Sequence, residues 1–282
     1  MEKILRGILK YKANAQGNFL VRWANKAEKL PVKPPILFVS CIDSRILPTH
    51  FCQTSPGDMF ILRNAGNVLP RANYSEGEPT QLSCEVVALE ITCNRSKVEH
   101  VVICGHSDCQ ALYAAYKHYT EEEETSAPLK RVSEIIHGWC RTHGVEASLN
   151  KVQDTSNRTS KGAAFKFNIG STPQEVFIDP KNEMALLDKL SQVNVLQQLE
   201  HLSSYRSISK RVDSGQLSVH GMWYDVSEDK IYWFSRQRKG FIEICADTIE
   251  EIIASCKRTV RPEEEQGDLG FKKPESVGTA IE

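Results

Sequence analysis

Ile36-Leu37-Phe38-Val39-Ser40-Cys41-Ile42-Asp43-Ser44-Arg45 is the stretch around which the chain is organised. Pro34-Pro35 leads into a short apolar run with the length and composition of a buried strand. The run stops at a thiol, a carboxylate and a guanidinium. Strands of an open α/β sheet deliver side chains in this way to the crevice beyond their carboxyl ends. Val101-Val102-Ile103-Cys104-Gly105-His106-Ser107-Asp108-Cys109 repeats the arrangement, with His106 and Cys109 at the end of the run. Right-handed crossovers bring the ends of parallel neighbours to one edge of a sheet. Cys41, His106 and Cys109 then supply three ligands for one Zn²⁺ and leave a fourth position for water, the outline of a catalytic rather than a structural site. A zinc finger or ribbon would show two close pairs instead.

A single cysteine or histidine at a strand end is usually a small packed residue. It is the coincidence of two such ends that argues for a metal. Cys52, Cys84, Cys93, Cys104, Cys140, Cys245 and Cys256 have no partner at ligand spacing. Among the other histidines only His220, beside Gly221, is a candidate to approach the active edge. Two thiolates and a neutral imidazole cancel the charge of Zn²⁺, so water at the fourth position should lose its proton at alkaline pH. Asp43 and Arg45 form a charge-assisted pair at i and i+2. Arg45 is expected to hold Asp43 off the metal and to orient it as an acceptor for that water. Ser107 is expected to cap a helix through about Tyr119, with Asp108 in its first turn, whose N-terminus adds positive potential at the Cys109 thiolate.

Outward from these two strands, Met59–Arg63 reads as a further strand ending in Asn64-Ala65-Gly66-Asn67, and 80–93 as a helix. Strand, helix, strand, helix, strand, with each strand mostly apolar, predicts a parallel sheet with helices on both faces. Residues 146–175 read as a long excursion with a hairpin at Ala164–Ile169. Pro180–Tyr205 carries Met184, Leu187, Leu190, Val193, Leu196 and Leu199, a strong helical stripe. Leu217–Val226 and Lys230–Ser235 are a fourth and a fifth strand, the fifth antiparallel because Ser227-Glu228-Asp229 is so short a turn.

Residues 1–30 hold two amphipathic helices, with Ile4, Leu5 and Ile8 in the first and Phe19, Leu20 and Trp23 in the second. They read as an N-terminal packing arm that needs a surface to cover, or, from several positive charges and one acid, Glu2, in the first eighteen residues, as a mitochondrial targeting sequence. A catalytic domain over 31–245 follows, then a C-terminal helix and, from Arg261, a Pro-, Gly- and charge-rich tail expected to be disordered within 246–282. With 282 residues and 40% hydrophobic content the chain buries a full core. Its 35 Lys and Arg balance 36 Asp and Glu, which points away from nucleic-acid and membrane partners. Nine cysteines without a secretory signal read as reduced thiols of an intracellular, cytoplasmic or mitochondrial-matrix protein that is not secreted.

Cys41-Ile42-Asp43-Ser44-Arg45 with Gly105-His106-Ser107-Asp108-Cys109 resembles the signature of the β-class carbonic anhydrases. Arg63-Asn64-Ala65-Gly66-Asn67 falls where that family has a similar strand-end segment. Asp188-Lys189-Leu190-Ser191-Gln192 makes the likeness closest to animal members, over roughly residues 1–245. The resemblance implies zinc-dependent hydration of CO₂ to bicarbonate and a proton, with Cys41, His106 and Cys109 as ligands. It implies the Asp43–Arg45 dyad as catalytic, with Asp43 itself on the metal only in a closed state. It further implies a four-stranded parallel sheet with a fifth antiparallel strand, and N-terminal helices that embrace a second subunit in a homodimer or larger homo-oligomer.

The chain departs from the family at Gln110-Ala111, where many members have two glycines, and at Val32, where plant-like members have glutamine. Phe38 stands where members with a regulatory bicarbonate site resemble one another in a tryptophan, so an always-accessible site is expected. Hydrolases of carbonyl sulfide or carbon disulfide share this fold and these ligands, and a zinc-stabilised binding protein without turnover is a rival of another class. The dyad speaks against the latter. A thiol phosphatase would need an arginine six positions after its cysteine, where this chain has Leu47.

Overall fold

The computed structural model describes residues 1–13, 33–72, 74–75, 78–79, 82–120, 127–156 and 164–256. In chain order the strands are β1 (Ile36–Cys41), β2 (Met59–Asn64), β3 (Tyr74–Ser75), β4 (Glu78–Pro79) and β5 (His100–His106). After them come β6 (Ala164–Ile169), β7 (Thr172–Phe177), β8 (Ser218–Asp225), β9 (Lys230–Ser235) and β10 (Gly240–Glu243). The main sheet has six strands in the order β10-β9-β8-β5-β1-β2, and β3-β4 and β6-β7 are separate antiparallel pairs. Four strands are parallel, β9 is antiparallel to β8, and β10 is antiparallel to β9.

The expected fifth antiparallel strand is present, but it is not the edge. Gly240-Phe241-Ile242-Glu243 adds a sixth strand, folded back through a tight turn with Lys239 at φ +56°. Four residues offer too short an alternation to announce a strand in the sequence.

Register brings the site together. Cys41 pairs with Asn64, Ser40 with both Arg63 and Cys104, and His106 with Tyr224. The four parallel strands therefore end level, at one edge of the sheet. The long helix Leu186–Ser204 lies across one face, against β5 and β8, over Leu37, Val39, Val101, Ile103 and Val219. It comes so close that a Cβ on Gly105 would sit 2.6 Å from Val195 Cγ2, which is why the residue before the metal histidine is a glycine. The opposite face carries a smaller cluster of Phe38, Val102, Cys104 and Met222, with Phe51, Met59 and Trp233 packed against it.

Three further expectations change. The helix after the second motif starts at Gln110, and Ser107 does not cap it. Instead the Ser107 hydroxyl accepts from the Val226 N–H at 2.8 Å, tying the metal loop to the end of β8. Residues 145–156, expected to be irregular, form a helix, and the hairpin extends through Phe177. His220 lies away from the active edge: it pairs with Val102, and its Nε2 is 3.0 Å from Nδ1 of His100, the first residue of β5. The first arm helix is present as Glu2–Ala13. The second, with Phe19 to Trp23, lies outside the described residues, as do Val32, the acidic stretch Glu121–Glu124 and the tail from Arg261. No helix among the described residues is long and apolar enough to cross a membrane.

Candidate metal centre

β1 delivers Cys41, β5 delivers His106, and the turn into the helix Gln110–Thr120 delivers Cys109. All three are buried, and their ligand atoms lie within 4.8 Å of one another; the described residues hold no other such group of three or more. The two sulfurs are 4.0 Å apart. Two 2.3 Å Zn–S bonds at a tetrahedral angle would place them about 3.8 Å apart. His106 Nδ1 lies 2.8 Å from the Ser107 carbonyl, so it carries the proton and donates it there. That leaves the lone pair on Nε2, a fully buried nitrogen with no hydrogen-bond partner. An orphaned imidazole nitrogen facing two thiols is a donor set that fits Zn²⁺.

The electrostatics agree. The Cys41 thiol is lowered to about 4, chiefly by its hydrogen bond with Cys109, with help from His106 and the Asp43 and Gly66 amides against the cost of burial. Cys109 is raised, by that same contact and by burial, although the Ala111 and Leu112 amides at the helix start oppose the rise. Two adjacent thiols with opposite tendencies to ionise, beside a buried imidazole, are a donor set in which a divalent ion would take the place of a proton.

Asp43 and Arg45 form a pair beside this cluster. Arg45 Nε and Nη2 donate to the two carboxylate oxygens of Asp43 at 3.0 and 2.7 Å, and the Arg45 amide donates to Oδ1 at 2.9 Å. These bonds hold the Asp43 carboxyl down at about 2. Arg63 supports the same loop from β2, donating to the Cys41 carbonyl at 2.9 Å and the Asp43 carbonyl at 2.7 Å.

Residues 36–231 match the carbonic anhydrase family model. Beta carbonic anhydrase 1 of Caenorhabditis elegans is 34% identical over 278 residues, which is 97% of this chain and 99% of that protein. The chain belongs to the β-class carbonic anhydrases. It is an enzyme of the carbonate dehydratase type, a lyase. A carbonic anhydrase of Helicobacter pylori is 27% identical over 90% of this chain and 98% of its own length. The solved β-carbonic anhydrase CcaA superposes with a TM-score of 0.65 at 23% identity, over 87% of this chain and 92% of that one, which shows the same fold.

Within this carbonic anhydrase, several residues hold the site that the sequence had shown only as parts of family-like segments, or, like Asn194, not at all. The Ser191 hydroxyl donates to the His106 carbonyl at 2.7 Å and accepts from Trp223 Nε1 at 3.1 Å. Asn194 Nδ2 donates to the Gly66 carbonyl at 3.0 Å, and the Gly66 N–H lies 3.4 Å from the Cys41 sulfur. Gly66 adopts φ +74°, a conformation that costs glycine little. Asp188 accepts the Asp108 N–H at 3.1 Å. Ser191, Asn194, Gln198 and His201 recur at helical spacing, so a buried polar stripe inside an apolar helix was the available signal.

Proposed function

We propose that this β-carbonic anhydrase hydrates CO₂ reversibly to bicarbonate and a proton, with Zn²⁺ held by Cys41, His106 and Cys109. The observation that carries the zinc assignment is His106 Nε2, buried and without a hydrogen-bond partner beside two sulfurs 4.0 Å apart. When bound, the metal supplies a Lewis-acid centre that brings the deprotonation of coordinated water towards the working pH.

The chain's own side chains do the rest. The Asp43 carboxylate, ionised because Arg45 donates to both its oxygens, accepts a hydrogen bond from the attacking oxygen and fixes its orientation. Arg45 keeps that carboxylate from becoming a ligand itself, since the fork-shaped guanidinium occupies both oxygens. The Ser107 carbonyl keeps His106 in the tautomer that offers Nε2 to the metal.

The functional unit on this reading is a homodimer or larger homo-oligomer. Its support is the first arm helix, where Met1, Ile4, Leu5, Ile8 and Leu9 are all exposed among the described residues. The test is the zinc content of the purified protein beside its stopped-flow rate of CO₂ hydration. About one zinc per chain and rapid hydration are expected, both lost in Cys41→Ala. Full zinc occupancy in that variant would refute the ligand assignment, and zinc without hydration would refute the activity.

A further inference from the structure

Arg45 makes more bonds than a dyad needs. Two of its nitrogens serve Asp43, but Nη1 also donates to Asp108 Oδ2 at 2.8 Å, and Nη2 donates to the Asp108 carbonyl at 3.1 Å. Asp108 sits between the metal ligands His106 and Cys109, so this guanidinium joins the loop after β1 to the loop after β5. Asp108 is itself pinned from three sides. Its N–H donates to Asp188 on the long helix at 3.1 Å, its Oδ1 accepts from Gln110 Nε2 at 2.9 Å, and its backbone takes φ +51°. That left-handed conformation is open to aspartate and asparagine, whose short polar side chains bond locally.

An isolated ion pair with an arginine 40% exposed is weak and opens often. A forked guanidinium shared between two carboxylates and a carbonyl has much less freedom to leave. We propose that Asp108 is a positioning residue for the dyad: it fastens the far side of the Arg45 guanidinium to the metal loop, so that Arg45 stays on Asp43 and Asp43 stays off the metal. This rests on the reading above that Arg45 restrains Asp43.

The test uses the cobalt(II)-substituted enzyme, whose visible absorption reports the metal's ligand set. Parent, Arg45→Ala, Asp108→Gly, Asp108→Asn and the Arg45→Ala/Asp108→Gly double variant are compared, each with its cobalt content and hydration rate. Glycine removes the carboxylate and keeps the left-handed backbone, whereas asparagine keeps the backbone and one acceptor oxygen. Asp108→Gly should bind one cobalt per chain, shift the spectrum in the same direction as Arg45→Ala, and lower kcat by about ten-fold, the scale of losing a charged hydrogen bond. Asp108→Asn should fall between it and the parent. The double variant should look like Arg45→Ala alone, because the anchor has nothing left to hold.

A parental spectrum in Asp108→Gly beside a shifted one in Arg45→Ala overturns the proposal and leaves the restraint reading intact, as does a double variant whose losses multiply. If Arg45→Ala also keeps the parental spectrum, the restraint reading fails and the proposal falls with it. Should Asp108→Gly fail to load cobalt, Asp108→Asn decides by the same criterion: an unshifted spectrum overturns the proposal.

Discussion

At the scale of single residues, the site depends on which protons are absent. His106 Nε2 has no hydrogen on this tautomer because Nδ1 donates to the Ser107 carbonyl, and Asp43 is ionised because Arg45 donates to both its oxygens. The Asp43 carboxyl titrates at about 2 instead of 3.8. The stability of its pair is therefore fully present above the ordinary carboxylate range and is lost only as pH falls through about 2. Hence Asp43 does not set the pH dependence of the enzyme near neutrality. Hydration measured from about pH 3.5 to 9 should rise as one ionisation in the parent and in Asp43→Asn, while the variant keeps its zinc and runs about 10- to 100-fold slower for want of the oriented acceptor. An ionisation near pH 4 to 5 seen in the parent and missing from Asp43→Asn would show that the carboxyl titrates in its ordinary range, against this account. Residue types at strand ends made the Cys41–His106–Cys109 cluster and the Asp43–Arg45 pairing legible in the sequence. Asp108 was legible only as an acid in a helix's first turn, because its partner Arg45 is 63 positions away.

At the scale of elements, the long helix Leu186–Ser204 has two jobs. Its apolar residues pack on β5 and β8. Its buried polar residues answer backbone groups of the metal loops that would otherwise be orphaned, since those loops leave the sheet's hydrogen-bond ladder. Gln198 accepts from the Leu69 N–H at 2.8 Å, and His201 Nδ1 donates to the Leu69 carbonyl at 2.7 Å, next to the Asn194–Gly66 and Ser191–His106 bonds. The leucine stripe showed in the sequence that this helix exists. It did not show that the interleaved polar residues were buried, because periodicity reports one face and this helix is enclosed on several. Asn194→Ala should leave the Gly66 carbonyl unsatisfied, at a cost of about 1–3 kcal/mol. It should also weaken zinc binding by roughly 10- to 100-fold, because the Gly66 loop that donates to Cys41 loses its anchor. Thermal unfolding and a competitive chelator titration measure the two effects. Lost stability with unchanged zinc affinity would show that the helix supports the core and not the metal loop.

At the scale of the whole molecule, alternating strands and helices were enough to foresee a parallel sheet with its chemistry at one edge, because connection handedness leaves few other arrangements. The sixth strand and the burial of His201 and His220 were not foreseeable, since both depend on what the chain places beside them in space. Burial lowers His201 to about 4 and His220 to about 3, below the ordinary 6.5. The unfolded chain then takes up protons that the folded one refuses, and stability should fall as pH drops from about 6.5 towards 4. For His201 alone the full loss is roughly 3 kcal/mol. Thermal melts at pH 7 and pH 5 test the sign, and an unchanged or higher midpoint at pH 5 would contradict it. The arm raises a question that one chain cannot answer by itself. Met1, Ile4, Leu5, Ile8 and Leu9 are 84, 59, 55, 46 and 68% exposed, a concentration of apolar surface on one short helix that a soluble monomer has little reason to keep. Cys41, His106 and Cys109 all lie outside residues 1–13, so removing that helix takes nothing from the candidate metal site. If a second copy covers this helix, the truncated chain should retain about one zinc while light scattering reports a single chain, or an ill-defined aggregate, where the parent gives a discrete oligomer. A truncated protein with the parent's oligomeric mass would mean that the first arm helix does not join the subunits.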